Sequence, residues 1–140
     1  MNANLFQRIS DAVADTGKVA IETSAGRRCT YEEIILQSGR VANALLARNV
    51  APGDRVAAQV EKAVEALILY LGCLRAGAVY LPLNTAYTLA ELEYFVGDAE
   101  PRLVVCDPAK RDGIAAFAEP GGVAVETLDR DGQGTLTDLA

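Results

Sequence analysis

The sequence predicts an α/β fold: a parallel sheet flanked by helices, with a short antiparallel strand pair near the N-terminus. Three observations carry that expectation. Short apolar runs alternate with segments of helical periodicity at least three times between Arg55 and Val125, the mark of βαβ units feeding a parallel sheet. Leu103 to Cys106 is apolar without interruption, as a strand covered on both faces requires. Helix starts and stops are spelled out by Ser/Thr-x-x-Glu boxes, proline and glycine.

Each element follows in order. Asn4 to Val13 carries Leu5, Phe6, Ile9 and Val13 at helical spacing. Val19–Thr23 and Arg28–Thr30 flank the turn Ser24-Ala25-Gly26 and read as a strand pair. Thr30-Tyr31-Glu32-Glu33 is a capping box opening a helix to Arg48, with Ile34, Ile35, Val41, Ala42, Leu45 and Leu46 on its apolar face. Pro52-Gly53-Asp54 turns the chain into the strand Arg55–Val60. A helix from Lys62 to Ala76 follows, burying Val64, Leu67, Ile68, Leu71 and Leu74, with Gly77 as a left-handed cap. Ala78–Leu83 is a strand broken only by Pro82, and Asn84 to Tyr87 is a loop. Thr88-Leu89-Ala90-Glu91 opens a helix with Leu89, Leu92, Phe95, Val96 and Ala99 inward, ended by Pro101. After Leu103–Cys106, Asp107-Pro108 caps a helix over Ala109–Ala118, and Val123–Val125 is the last strand. Residues 128–140 show no apolar periodicity and read as a polar connector.

Composition bounds the function. Charged residues make up 23% and hydrophobic ones 51% of the 140, so the chain is globular in character. No apolar run approaches the roughly 20 residues of a membrane span, and the first nine residues lack a secretory core. The expected location is the cytoplasm, with no membrane partner. A net charge of −6 argues against nucleic acid, which demands a basic face; Arg27-Arg28 and Lys110-Arg111 read as solvated pairs. Cys29, Cys73 and Cys106 are an odd, widely spaced set, and Cys73 and Cys106 sit among apolar neighbours as small hydrophobes in a reducing compartment. With no histidine in the chain, no zinc site and no histidine-based nucleophile pair can be assembled from these residues.

Parallel sheets bind ligands at the carboxyl ends of their strands, so the loops beginning at Glu61, Asn84 and Asp107 are where a site is expected. None is a phosphate loop. The nearest approach to GxGxxG, Gly132-Gln133-Gly134-Thr135-Leu136-Thr137, ends in threonine and follows a polar stretch. Asp107 lacks the companion acids and late lysine of a phospho-acceptor site and reads as a helix cap before proline. Glu61, Lys62 and Glu65 are either a catalytic cluster or, as their place at a helix start favours, cap and dipole partners. Asn84, between a strand and a capped helix, fits a residue that fixes loop backbone through its side chain.

Several phrases together, in this order, resemble one family: Thr30-Tyr31-Glu32-Glu33, Gly39-Arg40-Val41-Ala42-Asn43-Ala44-Leu45, Pro52-Gly53-Asp54-Arg55-Val56-Ala57, Glu65-Ala66, Arg75 through Asn84, Glu91-Leu92 and Asp98-Ala99-Glu100-Pro101. They are similar to the N-terminal region of the adenylate-forming superfamily of acyl-CoA synthetases, luciferases and peptide-synthetase adenylation domains. Met1 through Phe6, Pro82 through Thr88 and Val105-Cys106-Asp107-Pro108 further resemble the malonyl-CoA synthetase subgroup. The resemblance implies a partial N-terminal subdomain over 1–140, with 128–140 leading to the remainder of a ligase chain. It implies ATP, Mg2+ and CoA as cofactors of the full-length enzyme, a small carboxylate such as malonate as substrate, and an acyl-adenylate intermediate. The motifs that bind phosphates, adenine and ribose, and the family's lysine, are expected beyond Ala140, so no catalytic residue and no metal ligand is assigned, and the isolated chain is expected to be inactive and to bind none of these cofactors. The resemblance places Asn84, Thr85 and Tyr87 near the CoA approach. Exposed apolar faces and self-association are expected of the isolated piece. The alternative reading is a stand-alone, non-enzymatic α/β interaction or regulatory module of the same fold.

Overall fold

A computed structural model describes residues 3–140; Met1 and Asn2 of the opening phrase lie outside the described residues. The elements run α1 (Leu5–Ala12), β1 (Val19–Glu22), β2 (Arg28–Thr30), α2 (Tyr31–Ala47), β3 (Arg55–Gln59), α3 (Val64–Ala76), β4 (Val79–Pro82), α4 (Leu89–Ala99), β5 (Leu103–Cys106), α5 (Arg111–Ala118), β6 (Ala124–Thr127) and α6 (Thr135–Leu139). β1 and β2 pair antiparallel, and β3 to β6 form a parallel sheet in the order β4-β3-β5-β6. The expected fold class is the observed one.

Local chemistry explains the boundaries. Thr30 and Thr88 each accept a hydrogen bond from the amide three residues on, and Glu33 and Glu91 accept in return from the cap amides, so both capping boxes close. Gly77 ends α3 at φ 75°, a left-handed position that costs a β-carbon-bearing residue about 1 kcal/mol or more. Pro82 is tolerated because β4 is an edge strand that pairs only with β3. Asp107 caps as expected, accepting from the Ala109 amide at 2.8 Å, although Pro108–Lys110 forms a 3-10 turn before α5 proper.

Alternation along the strands divides the core into two layers. Val56, Ala58, Leu103 and Val105 face α1, α2 and α3, together with Leu128 and Leu136. Ala57, Val104, Cys106 and Val125 face α4 and α5 through Leu92, Val96, Ile114 and Ala118. The two sides thus pack separate clusters against one sheet, which is why β3 and β5 are buried along their length.

The structure departs from expectation on several apolar positions. Leu5, Ile9, Leu46, Leu67 and Leu89, placed inward by periodicity, are exposed, as is Leu36. α2 and α3 meet one layer only, so an apolar stripe wider than that contact leaves its flanks in solvent. The tail is the larger surprise. Leu128 and Leu136 are each 1% exposed, and α6 closes over them. Thr127 and Thr135 exchange amide-to-hydroxyl hydrogen bonds at 2.8 and 2.9 Å. Gly134 lies so close that a β-carbon there would sit 2.2 Å from the Thr127 carbonyl oxygen, and one at Gly132 (φ 80°) would collide with Glu65. The glycines of the near-GxGxxG stretch serve packing.

Of the arginine pair read as solvated, Arg28 stays largely exposed while Arg27 is engaged. Arg27 bonds Glu65 at 2.6 Å, and that hydrogen bond raises the Arg27 pKa. Arg48 at the end of α2 reaches the buried Glu126 of β6 at 2.5 Å, pinning helix to edge strand. Glu61 and Lys62 do not cap α3, whose N-cap is Ala63 without a side-chain hydrogen bond.

Candidate functional site

The connections select one place on the sheet. From β3 the chain crosses through α3 to β4 on one side. From β4 it passes back over β3, through α4 on the opposite face, to β5. The chain leaves β3 toward one face and leaves β5 toward the other, so the sheet has its switch point at their carboxyl ends. Such a topological switch point is where open α/β sheets bind ligands. Gln59 and Cys106, register partners, form its floor.

Two loops meet above that floor. Asn84 bends the loop after β4: its side-chain oxygen accepts from the Ala86 amide at 2.9 Å, and its carbonyl accepts from the Tyr87 amide at 3.1 Å. Gln59 rises from β3 and donates its Nε2 to the Asn84 carbonyl at 2.8 Å and, more weakly, to the Tyr87 carbonyl at 3.5 Å. Lys110, in the turn after β5, donates its Nζ to the Thr85 carbonyl at 2.8 Å. Because β3 lies between β4 and β5, the Lys110–Thr85 bond joins the connections on either side of it. Tyr87 stacks on Phe95 of α4 with ring centroids 4.8 Å apart. Beside it a cleft of about 210 Å³ is lined by Tyr87, Leu89, Leu92, Ala109, Lys110 and Gly113.

Among the described residues the side-chain oxygen of Gln59 has no hydrogen-bond partner, though the residue is 1% exposed. The two carbonyls facing Nε2 fix the orientation of the amide, since reversing it would set oxygen against oxygen. A buried acceptor left unpaired costs about 1–3 kcal/mol.

Cys106 cannot serve as a nucleophile in this state. Burial, then the neighbouring Asp107, pushes its pKa up to about 11, so the thiol stays protonated. Asn84, Thr85 and Tyr87 stand together in the loop after β4. In the sequence Gln59 ends a strand that signals only apolar burial, and Lys110 reads as a solvated charge; the fold brings both to the loop. The usable signal was topological: Lys110 follows a buried strand at a switch point.

The described residues carry no cradle for a nucleoside triphosphate and its metal ion. They hold no glycine-rich phosphate loop, and no group of acidic or cysteine side chains among them could hold a metal ion. They do offer one ammonium, one exposed Asn84 carboxamide and an aromatic wall at the loop.

Fold and switch-point site together define an open, parallel α/β scaffold with its candidate site at the carboxyl ends of β3 and β5. The chain belongs to the AMP-binding enzyme family, whose pattern matches residues 10–139. It is 63% identical to MatB from Rhodopseudomonas palustris, with a TM-score of 0.96, over 99% of this chain and 28% of that one; an ATP-bound structure of MatB matches equally. A probable CoA ligase, CCL9 of Humulus lupulus, is 39% identical over 99% of this chain and 27% of its own length. The long-chain-fatty-acid–CoA ligase FadD13 of Mycobacterium tuberculosis is 31% identical over 79% of this chain. The chain spans about a quarter of the length of these relatives.

Proposed function

We propose that these residues form the N-terminal subdomain of an ATP-dependent acid–thiol ligase that activates malonate. One observation carries the reading: 63% identity with MatB, a malonyl-CoA synthetase, maintained over 99% of the chain. In that reaction the carboxylate attacks the α-phosphate of ATP to give an acyl-adenylate and pyrophosphate, and the CoA thiol then displaces AMP. ATP and Mg2+ are held by parts of the ligase outside these residues. CoA supplies the thiol. Asn84, Thr85, Tyr87 and Lys110 lie where its approach would meet this subdomain, with the Lys110 ammonium the cation for a phosphate group. The proposed compartment is the cytoplasm, consistent with Cys29, Cys73 and Cys106 all standing as free thiols.

The test is an assay of the full-length ligase with ATP, CoA and a panel of carboxylates. Malonyl-CoA, AMP and pyrophosphate in equal amounts are expected, with kcat/KM for malonate above that for acetate or octanoate. Preference for octanoate would reject the substrate. Calorimetric binding of ATP by the 140-residue chain would reject the assignment of nucleotide binding to the rest of the molecule.

A further inference from the structure

We propose that Gln59 is a positioning residue for the thiol half-reaction, holding the loop 84–87 in the geometry that receives the cofactor. The inference rests on the proposed reading of that loop as the CoA approach, and goes beyond it to a residue that need not touch the ligand.

Four observations point to this role. Gln59 stands at the switch point, on the carboxyl end of the central strand β3, with Cys106 as its register partner. Its amide is held by the loop it supports, through the carbonyls of Asn84 and Tyr87. Its oxygen is buried with no partner, a cost that a methionine of similar length would avoid while filling the same space. A purely space-filling role does not account for a carboxamide here; the loop it holds does. Finally, the ties reaching the loop from β3 and from the turn after β5 land on backbone oxygens: Asn84 and Tyr87 from Gln59, Thr85 from Lys110. The frame is fixed from outside while the side chains of Asn84 and Thr85 remain at the surface or half-buried. The start of α4 does not require these ties, because the Thr88–Glu91 box and the Asn84 turn close it locally. Preorganisation of this kind lowers the cost of ordering a loop on binding.

Two variants separate positioning from packing. Gln59→Met keeps the volume and removes the donor. Gln59→Glu keeps the shape but sets a carboxylate against two carbonyl oxygens. In the full-length ligase, KM for CoA is expected to rise about tenfold in Gln59→Met, the equivalent of one lost hydrogen bond, and further in Gln59→Glu. Malonate-dependent ATP–pyrophosphate exchange should stay within about twofold, since adenylation precedes thiol entry. In the 140-residue chain, hydrogen exchange at the Ala86 and Tyr87 amides should quicken about tenfold in Gln59→Met, with the Val104 amide of β5 unchanged. An active ligase whose KM for CoA is unmoved, or whose adenylation falls in step, overturns the proposal. Unchanged exchange at Ala86 and Tyr87 overturns the clamp itself. If the wild-type ligase makes no CoA thioester, the functional reading fails, and the exchange experiment still decides whether Gln59 holds the loop.

Discussion

Replacing Gly72 with alanine tests how tightly the α2–α3 contact is drawn. A β-carbon on Gly72 would lie 2.7 Å from Val41 Cγ1 and 3.0 Å from Val41 Cβ, against an ordinary carbon–carbon separation of about 3.5–4.0 Å. Val41 is 4% exposed, and a β-branched side chain in a helix has essentially one rotamer, so it cannot swing aside. The helices must therefore part by about 1 Å, at an overpacking cost near the upper end of about 1–3 kcal/mol. Against this stands the helix propensity gained on replacing glycine, about 1 kcal/mol. The net expectation is a loss of about 2 kcal/mol, or roughly 6 °C in Tm for a domain of this size. In a Val41→Ala background the added methyl enters the space the valine vacates, and Gly72→Ala should become neutral or mildly stabilising. Urea melts of the four proteins give the coupling, expected at about 2 kcal/mol. Gly97, in α4 with nothing within 4 Å of its notional β-carbon, is the control: Gly97→Ala should stabilise by about 0.5–1 kcal/mol. Additivity of the 41 and 72 substitutions within about 0.5 kcal/mol would refute the close-contact explanation.

Other outcomes follow from the same structure. Arg48→Met leaves the Glu126 carboxylate, its side chain 7% exposed, without its partner and should cost about 2–3 kcal/mol, while Arg48→Met with Glu126→Met should cost less than the single change; chemical denaturation reads both. Burial lifts the Cys73 and Cys106 thiols to about 12 and about 11, from an ordinary 9.0. With both folded-state values raised, their stabilising contribution is intact below pH 9 and is lost as pH climbs toward 11–12, because the unfolded thiols ionise first. Stability should fall by up to about 2.7 kcal/mol per pH unit above pH 9, roughly 1.4 for each thiol, and urea midpoints of Cys106→Ala should show a shallower decline. The isolated chain carries exposed Leu36 and Leu46 on α2; sedimentation should show concentration-dependent self-association, weakened in a Leu36→Lys, Leu46→Lys variant, and a strict monomer at millimolar concentration would contradict it.

The sequence by itself determined the order and type of the elements between Tyr31 and Ala118, because their signals are local. A capping box at Thr30 or Thr88, a left-handed glycine at 77 and a proline at 101 act within a few residues, and an apolar run such as Leu103–Cys106 declares burial on both faces. It also determined the family, through phrases spread along the chain, and placed Asn84 in a turn its own side chain closes. Only the tertiary structure decided the rest. Which of Leu45, Leu46, Leu67 and Leu69 is buried depends on where the neighbouring layer ends, which periodicity does not encode. The tail from Leu128 to Leu136 looked polar because two buried leucines eight residues apart make no periodic pattern; they are buried by a turn through Gly132 and Gly134 whose need for glycine comes from Glu65 and Thr127, far away or across the turn. The candidate site shows the same division. Gln59, Asn84 and Lys110 are spaced over some fifty residues and become one constellation because β3 lies between β4 and β5 in the sheet, a fact of strand order. Hydrogen bonds from a buried amide and a half-buried ammonium to loop carbonyls join backbone atoms, which every residue carries alike, so the side chains of the loop give no sign of them.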